Sequence, residues 1–326
     1  MIYSFNIYSL AASAGFLKSN PNLKKYFEAK DYLPFVRKTG LKGIEVPLDV
    51  YFDEMRDVKA LQFIELCNES EIAIYPCLEN FNPCFLKKNI GLLKELGANS
   101  IRIKMPHLGA TFYGGNRYRS DHYNLSLENF RLAMEKLDPI LNDFDFKVAI
   151  ENHQDLDVVD LIRLCENSRS GKVGVTWDVG NSLSTMRTPH SFFKKISVWI
   201  LNVHLKDYRA FRTESGFSLR RCVLGEGVTD LKTIASEIIK LPWLENISME
   251  LAAHPDRHCD LYSFGYAEAF EHSLEERREF TSWLEARLCQ EVVTRENSIV
   301  VDNKLISREE SEASISVAKF KELFCV

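Results

Sequence analysis

Four side chains able to bind a metal ion each follow an apolar run. Lys147-Val148-Ala149-Ile150 leads into Glu151, Val173-Gly174-Val175-Thr176-Trp177 into Asp178, Val198-Trp199-Ile200-Leu201-Asn202-Val203 into His204, and Asn246-Ile247-Ser248-Met249 into Glu250. Each run reads as a buried strand, so each polar group stands where a strand ends. Glu151 and Asp178 are 27 residues apart, Asp178 and His204 26, and His204 and Glu250 46. A strand, a helix and two loops take roughly 30 residues in an eight-unit barrel of about 250, which puts the four groups at equivalent places in successive units. Three carboxylates crowded at one end of a barrel repel each other and lose hydration, a cost that a divalent cation among them removes. Three oxygens and one imidazole suit Mn²⁺, Mg²⁺, Co²⁺ or Zn²⁺; one ion per chain is expected, with Mn²⁺ the leading choice. Such an ion polarises a carbonyl and its neighbouring hydroxyl and so eases loss of the proton between them.

Side chains alternate along a strand, so Glu151 and His153 share a side, as do His204 and Lys206, and Arg102 and Lys104. With Glu151 facing the lumen, His153 faces it too and can reach a proton on a bound substrate. Lys104 and Lys206 are candidates to steady an oxyanion or a substrate carboxylate, against the default of ordinary lysines at a loop mouth. His107 and His254 lie near strand tips and read as uninvolved loop histidines. Gly225-Glu226-Gly227 reads as a turn into the seventh helix, its glutamate structural.

The elements that must position these groups alternate regularly. Strands are expected at 3–8, 43–46, 72–77, 100–105, 147–151, 173–178, 198–204 and 247–251, separated by helical patterns at 23–38, 53–68, 83–96, 124–143, 156–166, 189–197 and 229–241. Gly97 is placed as a helix C-cap, and 206–227 is left as a loop. Strict alternation favours parallel strands with crossover helices, and eight units favour closure; no GxGxxG follows the first strand to support an open dinucleotide-binding sheet. The expectation is an α/β fold, a single (β/α)8 TIM barrel over residues 1–289 completed by a helix at 267–289, with a C-terminal helical extension over 290–326. In that extension Ser307-Arg308-Glu309-Glu310 has the form of a capping box, and Ala313, Val317, Phe320 and Phe324 fall on one helix face. The face is expected to pack under the barrel; docking on a second subunit, giving a homo-oligomer, is the alternative.

Composition narrows the function classes. The chain has 326 residues, 45% hydrophobic and 27% charged, the profile of a globular protein long enough for one large barrel. A net charge of −5 supplies no general basic field for nucleic acid or anionic membrane. The eight cysteines form no CxxC pair and read as reduced thiols of a cytoplasmic protein. Met1 to Gly15 lacks a basic start and is interrupted by Ser4, Asn6 and Ser9, so it reads as a first strand and not as a signal peptide.

Five segments together resemble the xylose isomerase-like TIM barrel superfamily of sugar isomerases, epimerases and inosose dehydratases related to apurinic endonuclease. They are Glu151-Asn152-His153, Trp177-Asp178-Val179-Gly180-Asn181-Ser182, Val203-His204-Leu205-Lys206-Asp207, Leu224-Gly225-Glu226-Gly227-Val228-Thr229-Asp230 and Met249-Glu250. The resemblance covers residues 1–289. It implies a metal held by Glu151, Asp178, His204 and Glu250 with a carbohydrate or polyol ketone beside it, and it implies proton transfer by Glu151 and Glu250. It also matches His153 to an acid or base of the dehydratase members, and Glu45 to a glutamate that holds substrate hydroxyls, an ion pair being the other reading of Glu45. The ketose epimerases carry an arginine in the first motif and lack that histidine, so this chain departs from them there. The leading expectation is a metal-dependent isomerase or epimerase acting by proton abstraction beside a sugar carbonyl. A lyase, dehydratase or decarboxylase, using His153 is the alternative. A nuclease would need more strand-tip ligands and a basic face, and a non-catalytic sugar-binding barrel would not need four intact ligands; neither is favoured.

Overall fold

A computed structural model describes residues 1–17, 26–106, 122–293 and 302–326, and His107 lies outside them. The eight expected strands form a closed parallel barrel. In chain order they are β1 (Ile2–Asn6), β2 (Gly43–Pro47), β3 (Ala73–Cys77), β4 (Ser100–Ile103), β5 (Lys147–Glu151), β6 (Val173–Asp178) and β7 (Ile200–Leu205), and the eighth is β10 (Asn246–Met249). β10 closes on β1 with Ile2 opposite Asn246 and Phe5 opposite Met249. The runs are rich in β-branched and aromatic side chains and buried on both faces, as parallel strands under crossover helices must be. Among the described residues no helix is long and apolar enough to cross a membrane.

The helices between the strands carry local stop and start signals. α3 (Val58–Glu69) is capped by Asp57 accepting from Ala60 N–H, and α6 (Val158–Glu166) by a reciprocal Asp157–Asp160 box. α7 (Pro189–Ile196) opens on Thr188 with proline in its first turn. α4 (Pro83–Glu95) has Leu96 as its C-cap, and Gly97, expected to be the cap, is the next residue, with the left-handed φ of +81° that stops a helix there. Of the expected helix 23–38, residues 23–25 lie outside the described residues, 26–28 are not helical, Ala29–Tyr32 form a 3-10 turn, and α1 is Leu33–Thr39 with Pro34 in its first turn. α2 (Leu48–Tyr51), α5 (Tyr123–Asp143) and α8 (Leu231–Ile238) complete this set.

Three expectations are corrected. The segment 206–227 is not an open loop: β8 (Tyr208–Thr213) and β9 (Gly216–Arg221) form an antiparallel hairpin. β11 (Arg257–Cys259) and β12 (Cys289–Val292) extend it to a four-stranded sheet. Tyr208, Ala210, Phe217 and Leu219 bury one face of the hairpin in a second core with Tyr266, Phe270, Phe280 and Leu284. The helix expected at 267–289 is accordingly shorter, α9 (Leu274–Glu285), started by a Ser273–Glu276 capping box and packed on this second core. The barrel is completed instead by α10 (Asn303–Phe324), which lies beside β10 between α8 and α1, in the slot of the eighth helix. Val317, Phe320 and Phe324 join the barrel core there, and Phe320 and Phe324 pack on Tyr3 at 6.0 and 5.4 Å. α10 begins four residues before the expected capping box, with Asp302 accepting from Leu305 N–H. Glu309 is then interior to the helix and fully buried, its carboxylate accepting from Ala12 and Ser13 N–H and standing 3.0 Å from His254 Nε2.

Candidate metal centre and active site

The ends of β5, β6, β7 and β10 bring Glu151, Asp178, His204 and Glu250 together. Glu151, Asp178 and His204 each offer a ligand atom, all within 4.8 Å of one another and all buried. His204 Nδ1 faces the cluster, 3.9 Å from Glu151 Oε1 and 2.7 Å from Glu250 Oε2. The 2.7 Å approach lacks hydrogen-bond alignment, so Nδ1 and the carboxylates converge as donors do around a shared cation. Buried acidic groups with an unaligned imidazole nitrogen at their centre are a donor set that fits a hard or borderline divalent ion.

The local folding explains why these groups point inward. Asn152, between Glu151 and His153, turns away from the lumen, its amide donating to Asp178 O at 2.9 Å and accepting from Asp178 N–H at 2.7 Å. It ties the tips of β5 and β6 together while its two neighbours face the cavity. Asn181 holds the Asp178 carboxylate with its backbone N–H at 3.0 Å and its side-chain amide at 2.8 Å. Asn6, at the tip of β1, donates to Glu250 Oε2 at 2.9 Å. The Gly225–Gly227 turn forms as expected, and it wraps the buried Asp207 carboxylate, which accepts from the N–H of Gly225, Gly227 and Thr229. A Cβ on Gly227 would stand 2.2 Å from Asp207 Oδ1, so only glycine fits. Glu226 pairs with Arg209 on the surface, 2.7 Å away.

Charge is dense and balanced. Lys206 is buried, with its ammonium 2.6 Å from Asp178 Oδ2 and 2.5 Å from Glu250 Oε1. Burial opposes that charge, but Asp178 and Glu250 outweigh it and hold the Lys206 pKa well above the usual lysine value. Burial pushes Asp178 up to about 6; Lys206 counters this, while Glu250 and Glu151 add to it. Glu250 is also disfavoured by burial, yet Lys206 and His204 hold it below the usual carboxylate range. Arg102 lies deeper, with Nη1 3.1 Å from Glu151 Oε2 and Nε 3.2 Å from Glu45 Oε1.

Glu45 stands elsewhere than its substrate-binding expectation placed it. It is fully buried beneath the cluster and is not part of the cavity lining. Its Oε1 lies 2.9 Å from His204 Nε2, and its Oε2 accepts from Ser248 Oγ. Burial alone would raise its pKa, but His204, Arg102 and Ser248 together hold it below the usual range. The ion-pair reading of Glu45 describes its position.

Above the cluster opens a cavity of about 460 Å³, lined among others by Glu151, His153, Lys104, Lys206 and Glu250. His153 is thus beside Glu151 on the same side of the strand tip. Lys104 reaches Glu79, which also accepts from Tyr8 OH. His254 is held against Glu309 and does not line the cavity. Of the other residues that line the cavity, sequence reasoning noted Arg102 without giving it a role, quoted Asn181 only as part of a matching segment, and missed Gln154, Tyr208, Tyr8 and Glu79. Tyr8, two residues beyond the lumen-facing Asn6, was within reach of the alternation argument; Tyr208 was hidden by the loop assignment.

The chain matches the family described as xylose isomerase-like TIM barrel over residues 33–279. Over 183 residues, 52% of the chain, it is 24% identical to a 3-oxo-isoapionate decarboxylase of Pectobacterium atrosepticum, covering 66% of that protein. A further 99-residue match, 25% identical, spans 30% of an uncharacterised Escherichia coli protein, YihM. The chain therefore spans just under two thirds and under one third of these relatives. Among solved structures, a D-psicose 3-epimerase studied in the presence of D-fructose superposes with a TM-score of 0.58 at 12% identity, covering 99% of both chains. The D-psicose 3-epimerase of Clostridium cellulolyticum H10 with D-tagatose gives 0.56 at 11% identity, covering 98% of this chain and 99% of that one. A probable 3-DHS dehydratase, AsbF of Bacillus anthracis, gives 0.51 at 14%, covering 87% and 99%. At these identities the structural likeness speaks for the fold alone. With the family match extending over most of the barrel and agreeing with its strand order, the chain belongs to the xylose isomerase-like TIM barrel family.

Proposed function

We propose that this chain is a divalent-metal-dependent enzyme that acts on a sugar or polyol ketone by moving the proton on the carbon beside the carbonyl. The observation that carries the reading is the meeting of Glu151 and Glu250, from strands three places apart around the barrel, beside His204 at the floor of one cavity. Glu151, Asp178, His204 and Glu250 would hold the ion. When bound it supplies Lewis acidity, drawing charge from the ketone oxygen and acidifying the neighbouring C–H. Glu151 and Glu250 flank that position from two sides, so one can take the proton and the other return it, as an epimerisation requires. Lys206, already shared between Asp178 and Glu250, balances the negative charge of the floor and offers its ammonium to a substrate oxygen at the cavity wall. A cavity of about 460 Å³ is of the size of small-ligand sites.

A second reading, a lyase, is favoured by His153 beside Glu151 and by the decarboxylase among the relatives. In a decarboxylation of a 3-oxo acid the C–C bond breaks, its electron pair passes to the ketone, carbon dioxide leaves, and His153 delivers a proton to the carbon left behind. The two readings share a floor and differ in what leaves.

NMR of the Mn²⁺-loaded protein in deuterated water with keto-sugars and their 3-oxo acids separates them. Deuterium at the carbon beside the carbonyl, in a product otherwise of equal mass, is the expected result; release of carbon dioxide or water selects the lyase, and no turnover of any member of the panel contradicts both. If His153 is the acid or base, as in the lyase reading, His153→Ala should lower kcat by about 10²- to 10⁴-fold, the usual size of an acid-base contribution, and leave the metal content intact. Undiminished activity would leave the proton transfer with Glu151 and Glu250.

A further inference from the structure

Strand order divides the cavity into two halves. β5, β6, β7 and β10 are neighbours and carry Glu151, Asp178, His204 and Glu250, whereas β1, β2, β3 and β4 form the other half of the barrel. The segments leaving β1, β3 and β4 bring Tyr8, Glu79 and Lys104 to the wall of the same cavity. Arg102 joins the halves: its Nη1 is 3.1 Å from Glu151 Oε2, and its guanidinium stands 5.6 Å from the centre of the Tyr8 ring. The reaction described above uses neither Tyr8 nor Glu79.

The Glu79 carboxylate is held at both oxygens by cavity residues. Oε1 accepts from Lys104 Nζ and Oε2 from Tyr8 OH. The Tyr8 ring is itself fixed, stacked on Phe16 with centroids 4.6 Å apart and with the Lys104 ammonium 5.6 Å from its centre. On the backbone side, the N–H groups of Glu79 and Asn80 donate to the two Asp49 carboxylate oxygens, each at 2.8 Å. Even so, 29% of the Glu79 side chain stays exposed, against 9% for Lys104. A carboxylate has about four lone-pair positions, of which Lys104 and Tyr8 occupy one on each oxygen.

Charge says what such a group can receive. The Lys104 ammonium is already met by Glu79, so Lys104, Glu79 and Tyr8 together are neutral. A carboxylate or phosphate brought here would face the like charge of Glu79, which disfavours it. A hydroxyl donates to Glu79 without that cost, and a charge-assisted bond of this kind is among the stronger ones.

We propose that Glu79 accepts a hydrogen bond from a hydroxyl on the tail of the substrate, two or more carbons from the ketone. The enzyme then selects keto-sugars with an uncharged, hydroxylated tail and rejects those phosphorylated there. The assignment rests on the ketone-directed reading above. Tyr8 and Lys104 are positioning residues that hold the carboxylate ready, so little ordering is left for the substrate to impose.

The test uses the Mn²⁺-loaded full chain with D-fructose, D-tagatose and D-psicose, their 4-, 5- and 6-deoxy derivatives and their 6-phosphates. Solvent-deuterium exchange gives kcat/KM, and isothermal titration gives Kd. Wild type should disfavour one of the deoxy derivatives by on the order of tenfold to a hundredfold, the size of a hydrogen bond to a charged group. It should also bind each 6-phosphate more weakly than the free ketose. Glu79→Gln removes the repelling charge and leaves Lys104 unopposed, so its affinity for the 6-phosphates should rise. The double variant Glu79→Met/Lys104→Met removes both charges together, and its discrimination among the deoxy derivatives should fall to within about threefold. Equal treatment of every deoxy derivative by wild type overturns the assignment without recourse to a variant. So does a 6-phosphate bound as tightly as its free ketose, or a folded, metal-replete double variant that keeps wild-type discrimination. If wild type neither binds nor exchanges any of the ketoses, the ketone-directed reading itself fails, and the assignment falls with it.

Discussion

For His204 to offer Nδ1 to a cation its proton must sit on Nε2, and the group that receives it there is the Glu45 carboxylate at 2.9 Å. Such a partner fixes the tautomer, orients the ring and strengthens the donor, and its loss typically costs about 10- to 100-fold in metal affinity. Glu45→Gln, which keeps shape and acceptor and removes the charge, is expected to weaken metal binding by about that factor in a competitive chelator titration; wild-type affinity would detach Glu45 from the centre. The four candidate ligands were legible in the sequence because each breaks an apolar run at a repeating interval. The place of Glu45 was not legible, although its strand was. How deep a strand-tip side chain sits depends on the stagger of the closed barrel, which no single strand states. Arg102 shows the same limit: alternation put it on the side of Lys104, but only the assembled lumen sets it between Glu45 and Glu151.

Elements were legible by type and less so by destination. The stripe of Ala313, Val317, Phe320 and Phe324 says that α10 must bury one face, and it does, but an amphipathic helix carries no statement of which slot it fills. α10 rather than α9 closes the barrel because the hairpin of β8 and β9 builds a second core that claims Phe280 and Leu284. The hairpin itself was missed because its short strands, Tyr208–Thr213 and Gly216–Arg221, alternate arginine with apolar residues inside what counted as one strand-to-helix connection. A connection of that length should have been suspect. If α10 is the eighth barrel helix, Phe320→Ala leaves a cavity between β1, β10 and the helix and should destabilise the protein by about 3–5 kcal/mol in urea unfolding. A cost below about 1 kcal/mol would mean that the helix is loosely attached.

At the scale of the whole molecule, one buried ion-pair network joins elements distant in sequence. Asp157 at the start of α6 meets Arg187 at 2.8 Å, and Arg187 meets Glu276 of α9 at 2.8 Å. Burial raises the Asp157 pKa, but His272 and Arg187 outweigh it and bring it to about 2. A carboxylate whose folded pKa lies below its unfolded value stabilises the protein above the unfolded value, near 4, and loses that contribution as pH falls toward 2. Asp157→Asn should therefore cost about 2 kcal/mol at pH 7 and show a flatter loss of stability between pH 4 and 2; parallel pH profiles for variant and wild type would remove Asp157 from the account. The central claim is that the barrel gathers Glu151, Asp178, His204 and Glu250 into one divalent-ion site, and elemental analysis of the purified, dialysed protein measures it. About one ion per chain in wild type, lost in both Asp178→Asn and His204→Ala, is the predicted result, whereas full occupancy in either variant would contradict it.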